Sequence, residues 1–433
     1  MPAQPMRGWP NITPVIILTL VRPSSRSLNL MGGVADLGRP PEIPREALAD
    51  VQALLATARL HRYAESPTQP TPVAVLERAF AGLIGRRYAV ALNSCGSAMF
   101  MALKGAGVCP GDPVLMNAFT LGPVPGAVDH VSARPVLVEI TEDLTIDMDD
   151  LRTKARSSGA RHLLLSHMRG HVCDMDALAA LCEAEGISLI EDCAHTLGAF
   201  WAGRPTGSFG RAGCFSFQSA KHVNTGEGGI LATDDPDLAA RAILHSGSYM
   251  LYGQNGTVPP SEVMDHWKTR CANYSLRMSN LVAALALPQL PLIPDRVADW
   301  NASHDRIAAR LALHPGFALP HRPQAEAYAQ SSVQFRLPGA DAAQMARFVA
   351  AVRNAGVMVK WFGTELPEGY TSSPPHWIGA DASLVPRACA IQATLCDIRI
   401  PLGLSAQECD QIADILIKAA SVLDTEGTPH GRA

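Results

Sequence analysis

Three features of the chain predict an α/β fold built around a largely parallel sheet. Short apolar runs, such as Pro113-Val114-Leu115-Met116 and His162-Leu163-Leu164-Leu165, recur between stretches whose apolar residues follow helical spacing. These runs are apolar throughout rather than alternating, the pattern of strands covered on both faces. The chain has 433 residues, 47% of them hydrophobic and 18% charged, enough to bury a large core in two or three domains.

The elements follow in order. Helical spacing runs over residues 46–60 and 73–84, and Tyr88-Ala89-Val90-Ala91-Leu92 reads as a strand. A helix over 97–105 leads to short strands at 113–116 and 135–139, then to a helix at 147–155 and a strand at 162–165. The helix at 174–185 stops at Gly186 and gives way to the strand Ile187-Ser188-Leu189-Ile190. Near 288–294 three prolines interrupt the rhythm, which marks a boundary. Beyond it come a helical stretch at 295–313, strands at 332–336 and 357–361, and a closing helix at 409–418 with Ile412, Ile415 and Leu416 on one face. The expected organisation is an N-terminal extension (1–40), a large domain (41–290), a smaller α/β domain (291–425) and a tail (426–433).

Composition narrows the function. The net charge of −4 comes without a basic stripe for nucleic acid and without an acidic tail. The ten cysteines form no CxxC pair, which suits small buried hydrophobes in a reducing cytoplasm. The apolar run from Val15 to Val21 is too short to span a bilayer and is followed by Arg22-Pro23-Ser24-Ser25-Arg26 rather than a small-residue cleavage pattern. It is read as part of the extension, and no membrane association is expected.

Lys221 carries the chemistry. It follows the apolar stretch Cys214-Phe215-Ser216-Phe217 and precedes the turn Gly226-Glu227-Gly228-Gly229. Upstream, the strand at 187–190 ends in Glu191-Asp192-Cys193-Ala194-His195. A lysine amine and a carboxylate at the ends of buried strands meet the needs of pyridoxal 5'-phosphate: the amine forms a Schiff base, and the carboxylate keeps the pyridine nitrogen protonated. Ligands of open α/β sheets sit outside the carboxyl ends of the strands. There, Asn93-Ser94-Cys95-Gly96-Ser97-Ala98 joins a strand to a helix, and the amides of Gly96 and Ser97 are placed to hold a phosphate. The Ser216 hydroxyl, five residues before Lys221, could reach the same phosphate. Each feature alone has an ordinary explanation, such as an N-cap, a turn or a solvated lysine; their union in one linear unit does not.

The stretch from Glu191 to Gly229 resembles the signature of the DegT/DnrJ/EryC1/StrS aminotransferases, roughly E-D-x-A-[HQ] followed by F-S-F-x-x-x-K-x-x-x-x-G-E-G-G. Gly170-His171-Val172-Cys173-Asp174-Met175-Asp176 and Arg277-Met278-Ser279-Asn280-Leu281-Val282-Ala283-Ala284 resemble two further family segments. The similarity extends over about residues 45–420.

The resemblance implies a fold type I pyridoxal phosphate transferase, with a mostly parallel seven-stranded sheet in the large domain and a smaller C-terminal α/β domain. It assigns the Schiff base and the catalytic proton transfers to Lys221, the pyridinium contact to Asp192, the side of the phenolic oxygen to His195, and the phosphate to Gly96, Ser97 and Ser216. It implies a homodimer that moves an amino group from a small-molecule donor, glutamate or glutamine, to a keto-sugar, cyclitol ketone or related keto acceptor.

Two positions depart from the pattern. Leu121 stands where an aromatic residue usually stacks on the ring, with Phe119 two residues away as the alternative. Ser275 stands where an asparagine usually reaches the neighbouring subunit's phosphate, with Asn273 nearby. Leu121 keeps open a second reading, a pyridoxal phosphate cyclase, lyase or dehydratase. Arg169, Tyr249, Tyr252, Lys360 and Trp361 are further candidates for the substrate pocket.

Overall fold

The computed structural model of the protein describes residues 35–63, 70–248, 250–367 and 373–425, the last four without their side chains. The apolar run at 15–21, Tyr249 and the tail 426–433 lie outside the described residues. Among the described residues the strands are β1 (Tyr88–Leu92), β2 (Pro113–Asn117), β3 (Arg134–Val138), β4 (His162–Ser166), β5 (Ser188–Asp192), the short β6 (Phe200–Trp201) and β7 (Arg204–Pro205), β8 (Ala212–Ser216), β9 (Gly229–Thr233), the short β10 (Glu326–Ala327), β11 (Ser332–Arg336), β12 (Val359–Trp361) and β13 (Leu395–Arg399).

The main sheet has seven strands in the order β1-β9-β8-β5-β4-β2-β3. Strand β9 runs antiparallel to both its neighbours, and the other pairings are parallel. The exception follows from chain length. Strands β8 and β9 are joined by a hairpin with no room for a crossover helix, and a hairpin can only join antiparallel strands. The parallel strands are linked by helices such as Cys95–Ala106, Met148–Ser158 and Met175–Glu185. Ser94, Asp147 and Asp174 cap these three helices by accepting first-turn N–H groups. Apolar side chains fill both faces of the sheet. Val90, Met116, Leu164 and Ile190 point into one core, while Leu115, Leu163 and Leu189 point into another.

The prolines at 288–294 do not break the chain. The helix Asn280–Ala286 passes through a 3₁₀ segment, Leu287–Leu292, into the helix Ile293–Leu311. Pro288 and Pro294 sit in the opening turns of their segments, where a missing N–H costs little. By length and composition alone this run could cross a membrane. In the fold it is seated in two cores: Ala283, Ala286 and Leu290 pack beneath the main sheet, and Trp300, Ile307 and Leu311 pack in the second core.

That second core lies on the antiparallel sheet β11-β13-β12, covered by the helices Ala342–Asn354 and Ala406–Thr425. Leu37 is buried in it as well. The end of the expected extension is therefore tied to the fold. The Asn224 side chain donates to Pro41 O at 2.9 Å, and Arg296 donates to Glu42 O at 2.8 Å.

Candidate active site

The carboxyl ends of β1, β2, β4, β5 and β8 open into one cavity of about 320 Å³. Gly96, Asp192, His195, Ser216 and Lys221 all line it. Segments separated by more than a hundred residues meet there because parallel strands all end on the same side of the sheet.

The hairpin between β8 and β9 presents Lys221. Phe217 N–H donates to Gly228 O at 2.9 Å, Ser219 N–H to Gly226 O at 3.0 Å, and Lys221 N–H to Gln218 O at 2.9 Å, which fixes the tip of the loop. The Lys221 amine lies 2.8 Å from His195 Nε2. Burial and then the charge of Arg169 bring its pKa down to about 7, against the opposing pull of Asp192. Near neutral pH much of the amine is thus unprotonated and nucleophilic. His195 is pushed well below its ordinary value by burial and by the lysine's charge, so its imidazole is neutral.

Asp192 ends β5 and is held by three donors. Ser166 Oγ donates to its Oδ2 at 2.8 Å, while Ala194 N–H at 3.1 Å and the Cys95 thiol at 3.8 Å donate to Oδ1. Register brings Ser166 there, since it pairs with Asp192 across β4 and β5. Ser166 is oriented in turn by Thr120 Oγ1 at 2.8 Å and by Asn117 Oδ1, which accepts its backbone N–H at 2.9 Å. Burial and the Asp192 charge raise the Cys95 thiol well above its usual range, which keeps it a neutral donor.

On the strand-to-helix turn after β1, Gly96 lines the cavity, and Ser97 lines an adjoining pocket together with Ser94 and Gly96. The Ser97 amide donates to Ser94 Oγ at 3.0 Å, and its hydroxyl donates to Asn93 Oδ1 at 2.7 Å. The helix thus caps itself through Ser94, which also lines the cavity. A Cβ on Gly96 would meet nothing nearer than Ser94 Oγ at 3.7 Å, so the space above it is open to a ligand. Gly229 meets a steric demand: a Cβ there would lie 2.3 Å from the Ser94 carbonyl carbon. This close approach brings the hairpin's return strand against the Gly96 turn.

Leu121, not Phe119, lines the cavity. Strand β2 ends at Asn117 and the chain bends at Ala118 and Phe119, so the alternation that would point both side chains one way is lost. Phe119 is fully buried and packs edge-on against Phe362, with ring centroids 5.3 Å apart. Ser275 and Asn273 are bonded to each other, the Ser275 N–H donating to Asn273 Oδ1 at 2.9 Å. Among the other pocket candidates Arg169 reaches the cavity, while Tyr252, Lys360 and Trp361 do not. Thr120 and Arg399 line it without having been singled out from the sequence. Thr120 lies between Phe119 and Leu121, and Ser166 directly follows an apolar run, which is the signal that marked Asp192. Arg399 carries no such signal.

A model of the DegT/DnrJ/EryC1/StrS aminotransferase family matches residues 47–416. The chain is 32% identical over 278 residues to the spore coat polysaccharide biosynthesis protein SpsC of Bacillus subtilis, a match covering 63% of this chain and 67% of that protein. It is 33% identical over 262 residues to the L-glutamine:scyllo-inosose aminotransferase of Streptomyces griseus, covering 60% and 61%. These matches span about two thirds or less of the curated relatives' length. A candidate sugar aminotransferase from Streptococcus pneumoniae, solved in its PLP form, shares the fold with a TM-score of 0.74 at 23% identity over 89% of this chain and 98% of that one. With a family match running through both cores and across the whole cavity, the chain belongs to the DegT/DnrJ/EryC1/StrS aminotransferase family.

Proposed function

We propose that this protein is an aminotransferase that moves an amino group from glutamate or glutamine to a keto-sugar, cyclitol ketone or related small ketone, in sugar or secondary-metabolite biosynthesis. The family depends on pyridoxal 5'-phosphate. When bound, that group supplies an aldehyde for amines and a ring that accepts electrons. The observation that carries the reading is a buried lysine amine, its pKa lowered to about 7, and a triply hydrogen-bonded carboxylate facing one cavity.

The donor set fits the cofactor. Lys221 would hold it covalently, Asp192 would pair with its ring nitrogen, and His195 would sit beside its phenolic oxygen. The Gly96 turn at a helix N-terminus and the Ser216 hydroxyl would hold its phosphate; Ser216 is buried at the end of β8 and lines the cavity. Once freed by an incoming amine, Lys221 is the base within reach to move a proton at the substrate's α-carbon, and a pKa near 7 suits that task. Ser166, itself oriented by Thr120, keeps Asp192 fixed in place.

A homodimer is part of the proposal. Leu48 and Leu55, seven residues apart on the helix Arg45–Thr57, are 49% and 52% exposed, which supports an apolar face that a second copy would cover. The ten cysteines, free in the structure, support a reducing, cytoplasmic setting.

The test is stoichiometric. Holoenzyme given glutamate without an acceptor should release one equivalent of 2-oxoglutarate per site and then stop. Glutamine should give the corresponding single turnover. Silence with both donors would favour the second reading, a cyclase, lyase or dehydratase, for which aliphatic Leu121 at the ring face is the supporting observation.

A further inference from the structure

We propose that Arg169 and Arg399 form a carboxylate subsite next to Lys221, closed on its outer side by Arg39. The use of this subsite rests on the aminotransferase reading; its existence does not.

Both guanidinium groups line the main cavity and also a small polar annex of about 30 Å³, whose wall includes Arg39, Ala220 and Trp300. Arg169 is 7% exposed, and its Nε is buried without a hydrogen-bond partner among the described residues. A buried donor left unsatisfied is expensive, and a ligand oxygen is the usual way such a group is satisfied.

Among the described residues, the one carboxylate paired with Arg169 is already committed. Asp397 Oδ2 pairs with Arg169 at 2.7 Å, while its Oδ1 accepts from Gln334 at 2.6 Å. Gln334 is tied in turn to His171 Nε2 at 2.9 Å. The Arg399 side chain has no hydrogen bond or ion pair among the described residues, while its backbone pairs with Ser332 in the small sheet. Burial and then the charge of Arg169 lower the Arg399 pKa, against the pull of Asp397, so two guanidinium groups share one space and Asp397 pairs with only one of them.

The Arg169 backbone is left-handed, with φ 56°, and Gly170 follows with φ 83°. A Cβ on Gly170 would lie 2.2 Å from Gln330 Oε1, so the loop holds Arg169 in place by close packing.

Size and shape favour a carboxylate. The annex is about the share of one water molecule in the liquid, room for a planar pair of oxygens entering from the main cavity. Two forked guanidinium groups suit a planar anion, and Gly96 and Ser216 do not line this space. The carboxylate can come from the amino donor or from an acidic group on the acceptor.

The test is calorimetric titration of the full-length holoenzyme with glutarate, a donor-like dicarboxylate, and with glucuronate, a carboxylated sugar. Arg399→Ala should weaken at least one of them by about tenfold or more, and Arg399→Lys by less, because the fork is lost while the charge stays. Loss confined to glutarate assigns the subsite to the donor; loss confined to glucuronate assigns it to the acceptor. Wild-type protein that binds neither ligand, or unchanged affinity for both in Arg399→Ala, overturns the proposal. Arg399 is exposed, so the variants should keep the wild-type melting temperature. The 2-oxoglutarate release described above reports separately on transamination.

Discussion

At the end of β5 two consecutive carboxylates face opposite sides of the sheet and meet different surroundings. Glu191 turns away from the cavity and accepts from His167 Nε2 at 3.2 Å and from the amides of Gly207, Phe209 and Gly210 at 2.7 to 2.8 Å. Burial works to raise its pKa, but the His167 hydrogen bond and these amides outweigh it and bring it below the ordinary range. Every lone pair is used to close the loop that leads into β8. Asp192 has one strong hydroxyl donor and two weaker ones, and it opens into the cavity beside Lys221. Saturation makes Glu191 a structural clamp; incomplete saturation leaves Asp192 able to meet a ligand.

The largest effect should come from Lys221→Ala. Turnover with glutamate should fall by at least about 10⁴-fold, and borohydride reduction should no longer fix cofactor to the Lys221 peptide, as read by mass spectrometry. Next, Asp192→Asn should cost about 10²–10³ in kcat while unfolding is little changed, since it removes a charge aimed at the ligand. Glu191→Ala should do the reverse. It strands three backbone amides and His167, and urea unfolding should report a loss of about 3–5 kcal/mol. If Asp192→Asn proves the more destabilising of the two, the contrast between the faces is wrong.

The pH dependence sharpens the cavity side. Lys221 is reactive when neutral, so cofactor uptake by the apo-protein should rise with pH through about 7 and level off above it. Arg169→Met removes a positive neighbour that favours the neutral amine. The Lys221 pKa should therefore rise and the profile move to higher pH. A profile that stays in place would show that burial alone sets the shift. The smallest change should follow Leu121→Phe: an aromatic face is worth about 0.5–1.5 kcal/mol, so cofactor dissociation should slow several-fold.

Much of this was legible in the sequence. The strands at 88–92 and 332–336 keep their expected bounds, because continuous apolar runs flanked by turn residues leave little choice. Strand β9 was hidden behind the glycine turn that precedes it. Strand β13 was hidden too: in its sequence, Leu395-Cys396-Asp397-Ile398-Arg399, the buried Asp397 is accounted for by Arg169 and Gln334, partners distant in the chain. The prolines near 290, read from the sequence as a domain boundary, lie within a run of helical segments, because Pro288 and Pro294 sit at segment starts where no hydrogen bond is lost.

By itself, the sequence determined the layered α/β fold, the family, and the lysine and carboxylate at strand ends, because each is written in local order and apolar pattern. The tertiary structure decided which groups meet. Leu121 rather than Phe119 faces the cavity because the chain bends after β2. Ser166 reaches Asp192 because β4 and β5 pair in that register. Arg169 and Arg399, 230 positions apart in the numbering, share one space because the small sheet folds back against the β4 loop. Contacts across such separations depend on strand register and core packing, which no single segment of the chain encodes.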